Sequence, residues 1–220
     1  YNADNYDSYE FRQEAKKAAE LLTKKAQKIC EATKFDTKVK KCVKRSAING
    51  EALMYWYWDT SKEIPVVELK SKVDVLFGNE NEDDIQEQPY ILLKRRMTLI
   101  QAQEYARKNK VDEELISAIH GDNFTQDESG DSSKEEVDDM VTIVTKMYKK
   151  EGTVHFSESA KFVDIIKDEN AGLTYYPLTH LNWEDQEGNA RGIGEVEQYV
   201  DTQIEVNKTI TRRAFIAKTM

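Results

Sequence analysis

Apolar residues recur every three or four positions at Phe11, Ala15, Ala18, Leu22, Ala26 and Ile29, the spacing that gathers them on one face of a helix. Asp7 is placed to cap that helix, with Glu10 three residues on. A second helix is predicted after Asp36, with Val39, Val43 and Ala47 on its buried side. Asn49-Gly50 supplies the stop, because glycine accepts the left-handed backbone at a helix end. The run Ala52 to Trp58 is aromatic on both faces and is predicted as a strand buried from both sides. Pro65 to Leu69 and Val73 to Phe77 read as two further strands. Asn79 to Glu87 reads as an exposed acidic loop, and Tyr90 to Leu93 returns to a strand.

Thr98 with Gln101 forms a capping box for a helix carrying Ala102, Tyr105 and Ala106. A short helix is predicted from Glu113 to His120, stopped by Gly121. Residues 122–139 hold eight Asp or Glu and one Lys among Ser and Gly, the composition of a flexible, solvated loop. Met140 to Tyr148 and Thr153 to Phe156 flank Lys149-Lys150-Glu151-Gly152, a hairpin turn, and Phe162 to Ile166 adds a third strand. Beyond Trp183 and a glycine-bearing loop, Val196, Val200, Ile204, Ile210, Ala214 and Ala217 predict a long helix running to the end. The fold class is therefore α+β, and no internal repeat is visible.

Composition narrows the function. Of 220 residues, 39% are hydrophobic and 33% charged, a lean supply of core material for this length. Nine Gly and three Pro argue against a linker-rich chain. The net charge of -9 disfavours a dedicated nucleic-acid binder, which needs cations to neutralise phosphates. It does not disfavour a surface past which DNA slides without sticking. Charge is uneven as well: residues 11–50 hold twelve Lys and Arg against four Asp and Glu, while the remainder carries -17. Such asymmetry fits either two surfaces meeting different neighbours or a solvated Lys-rich helix face. Cys30 and Cys42 fall in predicted helices without metal-ligand spacing and read as reduced thiols of a cytosolic product. No apolar run reaches the ~20 residues of a membrane span. Tyr1 is no initiator Met and Met220 falls inside a helical pattern, so a longer parent chain is expected.

Candidate chemistry is sparse. Gly192-Ile193-Gly194 begins like a dinucleotide fingerprint, but Glu197 stands where the third glycine belongs and would repel a pyrophosphate. A tight entry into the last helix is the better reading. Asp127, Ser129, Gly130 and Asp131 do not meet the calcium-loop template, which places its glycine sixth and a bidentate Glu twelfth. His120, His155 and His180 are scattered and read as packing or surface histidines. No nucleophile motif, metal motif or cofactor motif is present, so no catalytic, cofactor-binding or metal residue is assigned. Gln203 and Asn207 lie four apart on the final helix, with Lys208, Arg212 and Arg213 nearby. These three cations are the candidate contacts to phosphates or to a neighbouring subunit's carboxylates, against the plain alternative of a solvated polar face.

Four groups of segments, in order along the chain, carry a family resemblance. They are Phe35-Asp36 with Ala47-Ile48-Asn49-Gly50 and Tyr55-Trp56-Tyr57-Trp58-Asp59; Val75-Leu76-Phe77-Gly78-Asn79 with Gln86 to Leu93; Tyr176-Pro177-Leu178 with Asn182-Trp183-Glu184 and Ala190-Arg191-Gly192; and Asn207-Lys208 with Arg212-Arg213-Ala214. In combination they resemble the portal proteins of tailed bacteriophages, over the central part of such a chain. The resemblance implies a non-enzymatic homo-oligomeric ring, usually a dodecamer, at one capsid vertex in the virion, assembled in the host cytoplasm. It further implies partners: the terminase large subunit, head-completion or adaptor proteins, capsid proteins, and double-stranded DNA that passes through the channel without being tightly bound. No membrane and no cofactor enter.

On that resemblance, residues 1–97 are wing-like helices and strands, and 98–139 are helices plus an acidic loop. Residues 140–190 form a β-rich, clip-like segment, and 191–220 begin a long, stem-like helix. Two other classes stay open from the residues themselves. One is a metal-dependent nuclease or phosphodiesterase built from converging carboxylates. The other is a cytosolic scaffold or adaptor that recruits acidic partners through its basic helical face.

Overall fold

The computed structural model describes residues 9–60, 62–122 and 140–219. Helix α1 (Tyr9–Ala32) leads through a turn into α2 (Phe35–Asn49), and Lys34 takes a left-handed backbone between them, with φ 52°. The cap predicted at Asp7 lies outside the described residues. Of the predicted apolar row on α1, Ala15, Ala26 and Ile29 are half-buried, whereas Ala18 and Leu22 are exposed. The helical spacing is there, but little of the protein lies against it.

On α2 the buried row differs from the predicted one. Cys42 and Ser46 are buried with Phe35 and Val39 packed beside them, while Val43 is 44% exposed. Tertiary packing turned the helix by about one residue. The Cys42 thiol enters the cluster of Ala52, Met54 and Val67, and the Ser46 hydroxyl donates to the Leu181 carbonyl at 3.3 Å. Gly50 ends the helix as expected, at φ 89°, with its N–H donating to the Ser46 carbonyl.

Strand β1 (Glu51–Asp59) is the centre of an antiparallel three-stranded sheet, between β2 (Ile64–Lys70) and the late strand β8 (Leu178–Asn182). Its first half is buried on both faces, as predicted. Its second half is not: Trp56, Tyr57 and Trp58 are 36%, 40% and 60% exposed. Ladder pairing to β8 stops at Tyr55–Leu178; past it the Trp56 N–H donates to the Pro177 carbonyl at 2.8 Å, and from Tyr57 to Asp59 the strand runs on paired to β2.

The second sheet is an antiparallel meander of β3 (Val75–Phe77), β4 (Tyr90–Thr98), β5 (Met140–Lys150), β6 (Thr153–Ala160) and β7 (Val163–Leu173). Strands β4 and β7 run well past their apolar predictions, β4 through Lys94-Arg95-Arg96. There the ladder to β5, from Tyr90–Tyr148 to Thr98–Met140, holds the strand where alternation does not. Because β3 and β4 join β5 to β7, and β1 joins β8, both sheets draw on segments far apart in the chain.

One face of the meander carries the core. At one end Ile91, Leu93, Met147 and Val154 meet Leu53 and Leu178 of the smaller sheet, together with Phe77 and Tyr176. At the other end Val141, Ile143, Ala160, Val163 and Ile165 are covered by α3 (Leu99–Lys108) and α4 (Glu113–Ser117). Each of the buried Val, Leu, Ile, Met and Phe side chains, fully removed from water, contributes about 1.5–3 kcal/mol. The Thr98–Gln101 capping box forms with both hydrogen bonds. Helix α4 stops at Ser117, short of the predicted His120. A small hairpin of β9 (Glu184–Gln186) and β10 (Asn189–Ile193) then leads into α5 (Glu195–Thr219). The strands from β8 to β10 were not visible in the residue pattern. The acidic segment lies outside the described residues from 123 on, and with it the rejected calcium loop.

Candidate assembly surface

The base of α5 is anchored backbone against backbone. A side-chain carbon on Gly192 would come within 2.6 Å of the Gly50 carbonyl oxygen, and one on Gly194 within 2.6 Å of the Ile48 carbonyl oxygen. Only glycines let the end of α2 and the entry to α5 approach so closely. The Gly192-Ile193-Gly194 run is thus a packing device. Around it the Trp183 indole N–H donates to the Glu195 carboxylate at 3.0 Å, and the Tyr199 hydroxyl donates to the same carboxylate at 3.1 Å. Gln198 donates to Glu184.

From this base α5 runs about 37 Å over its whole length, about 30 Å of it beyond Tyr199 at the usual helical rise, and buries none of its residues. Val200 is 47% exposed, Ile204 44% and Ile210 59%, so the apolar row seen in the sequence is present and uncovered. Gln203 donates to Asn207 at 2.9 Å within that row.

The three candidate cations do not form one cluster. Lys208 and Arg212, four apart, share a face, and Lys208 is held by Glu205 at 2.7 Å. Arg213 points about 100° around the helix from Arg212. Both arginines are exposed, and among the described residues neither makes an ion pair.

A buried polar hub ties this base to the two sheets. Glu51, 2% exposed, accepts from Arg191 and is bonded to His180 Nε2 at 2.9 Å. Arg191 also donates to the Val75 carbonyl at 2.9 Å and lies over the Phe77 ring at 5.1 Å. Burial pushes the Glu51 carboxyl up, but the hydrogen bonds from His180 and Arg191 and the Arg191 charge outweigh it and hold its pKa below the ordinary glutamate value. Nearby, the buried Gln88 amide spans the loop before β4. It accepts from the Asn79 N–H at 2.9 Å and donates to the Asn79 and Glu82 carbonyls at 2.7 and 2.8 Å. Tyr176 donates its hydroxyl to the Gln88 carbonyl at 2.9 Å. Several segments that carry the resemblance therefore converge here, as structural supports. Nothing in the sequence marked Glu51, whose partners lie 129 and 140 positions away.

Two other polar groups stand apart. Glu158 is buried midway along the core face of the meander, between its two apolar ends. It accepts from Thr145 at 2.9 Å, Arg95 at 3.1 Å and Tyr105 at 2.5 Å. Burial and the Glu158 bond raise the Tyr105 pKa. Beside it a cleft of about 560 Å³ opens between Tyr55 and Tyr57 of β1 and Met147, Val154 and Phe156 of the meander. On the outer face Asp168 accepts from Tyr148 at 2.8 Å and is bonded to His155 Nδ1 at 2.7 Å. Those bonds, the Tyr148 one first, hold its pKa at about 2. Of the three histidines, His155 and His180 thus have carboxylate partners, and His120 is exposed.

Among the described residues no group of three or more His, Cys, Asp or Glu is arranged to hold a metal ion. Cys30 is exposed, Cys42 is buried, and both are free thiols. No helix among the described residues is long and apolar enough to cross a membrane. No protein-family model matches the chain, and no curated protein sequence matches it either.

Proposed function

We propose that this chain is the central part of a tailed-phage portal protein, a ring-forming DNA conduit and assembly platform. The observation that carries the reading is α5: a 25-residue helix locked at its base to a two-sheet body, with its apolar row left uncovered. A closed ring needs two different complementary surfaces on each subunit. A projecting helix with exposed Val200, Ile204 and Ile210 supplies one kind of surface such contacts use. The uneven charge between residues 11–50 and the rest supplies another contrast.

In this role the protein hydrolyses nothing. The terminase large subunit docks on the ring, head-completion proteins seal it, and duplex DNA passes through. Lys208, Arg212 and Arg213 are the candidate contacts to phosphates or to a neighbouring subunit. The test is electron microscopy of the full-length protein, which is expected to show a ring. A full-length chain that stays monomeric across salt and concentration overturns the proposal. A monomer with magnesium-dependent cleavage of DNA would replace it with the nuclease reading.

A further inference from the structure

The outward face of α2 is rich in cations, with Asp36 its one exposed carboxylate. Its buried side looks onto β1 and β2 through Cys42 and Ser46, which leaves Lys34, Lys40, Lys41, Lys44 and Arg45 exposed. Lys40 and Lys44 lie one helical turn apart, as do Lys41 and Arg45, and from Lys34 to Arg45 the run spans about 16 Å. Among the described residues none of these five forms an ion pair, although the chain carries 41 Asp and Glu. Five unneutralised cations on and just before one short helix repel each other and build a positive local potential that attracts a polyanion.

We propose that this face of α2 binds the phosphate backbone of duplex DNA electrostatically and without sequence preference. Two observations favour a nucleic acid over an acidic protein surface. Four of the five cations are lysines, point charges that suit phosphates in any orientation. Lysine is also depleted where protein–protein contacts bury their centres, and those centres draw on aromatic residues instead. The apolar side of α2 is already used by β1 and β2, and the two apolar residues left exposed on it, Val43 and Ile48, are too few to sink the helix into a lipid surface. Duplex DNA offers about one charge per 1.7 Å of axis, so the length of the run faces ample phosphate. The overall charge of -9 keeps such contact weak and sensitive to salt. The inference stands independently of the ring, because it needs only a single copy of the helix.

The test measures fluorescence anisotropy of a labelled duplex with the full-length protein. With about four phosphates neutralised, affinity is expected to fall about 150-fold between about 50 and 200 mM salt, equally for unrelated sequences. The combined variant Lys40→Gln, Lys41→Gln, Lys44→Gln, Arg45→Gln is expected to lose binding. Lys62→Gln, Lys108→Gln, Lys110→Gln, Lys167→Gln, which removes the same charge elsewhere, is expected to keep it. If the α2 variant does not fold, acetylation of the wild-type protein decides: the duplex should shield Lys40, Lys41 and Lys44. Absence of binding at low salt, equal loss in both variants, or no shielding overturns the proposal. So does adsorption to anionic vesicles, or self-association, that depends on α2 while duplex binding does not. None of these failures touches the ring, which electron microscopy reads separately.

Discussion

Glu51 shows how much one buried carboxylate can organise. It sits at the start of β1 and holds His180 of β8 and Arg191 of β10, so three segments meet on one side chain. Removing one member of a buried ion pair leaves the others uncompensated. Glu51→Ala is expected to cost about 3 kcal/mol in urea unfolding at neutral pH. The folded carboxyl has a lowered pKa, so its stabilisation is complete above the ordinary glutamate value and is lost as pH falls through the lowered one. The gap between wild type and variant should therefore shrink as pH drops below about 4; a gap that is flat or widens on acidification would refute this role. Cys42 teaches a residue-scale lesson of another kind. It and Val43 are both acceptable on an apolar face, and only the position of β1 decided that the thiol goes inside.

Among the elements, α5 depends on glycines more than on its own sequence. Gly50 has φ 89°, a backbone that L side chains rarely adopt, and an added Cβ would collide with the Gly192 carbonyl. Gly50→Ala is expected to destabilise by about 3 kcal/mol or more, from strain plus the clash, as a lowered urea midpoint. Gly188→Ala is the comparison: its φ is 70° but a Cβ there meets nothing within 4 Å, so only strain applies and the loss should be smaller. Equal losses would refute the close approach of α2 and α5. Helix ends and helix existence were readable because caps and 3.6-residue spacing are local: Asn49-Gly50, the Thr98–Gln101 box and the row on α5 all stand as predicted. Strands β8, β9 and β10 were not readable, since Leu178–Asn182, Glu184–Gln186 and Asn189–Ile193 are short and hold too few apolar residues to show a strand pattern.

For the molecule as a whole, the contrast lies between a well-covered two-sheet body, on which α2, α3 and α4 pack, and α1 and α5, which bury no residue among those described. Exposed Ile204 and Ile210 contribute little to the stability of one chain, because no other element covers them and much of each side chain stays in water. Ile204→Ser with Ile210→Ser is expected to change unfolding free energy by no more than about 0.5 kcal/mol each. In the full-length protein the same pair is expected to weaken the proposed ring, read by analytical ultracentrifugation. A large stability loss in the isolated chain, or an unaltered assembly, would count against α5 as an assembly surface. At this scale the candidate cations divide between two faces of the helix. Lys208 and Arg212 share a face, as their spacing required, while Arg213 stands on another.

Local order sufficed to set the helices, the caps, the longer strands and the charge contrast, since each depends on neighbours within one or two turns or on composition alone. The α+β class followed from them. Which face of α2 is buried, why the aromatic end of β1 is exposed, and how Glu51 finds His180 and Arg191 were decided only in three dimensions. Those outcomes depend on contacts between separate elements, from Cys42 against Ala52 of the next strand to Glu51 with partners 129 and 140 positions away, and a chain carries no local signal for a partner it meets only after the elements have packed.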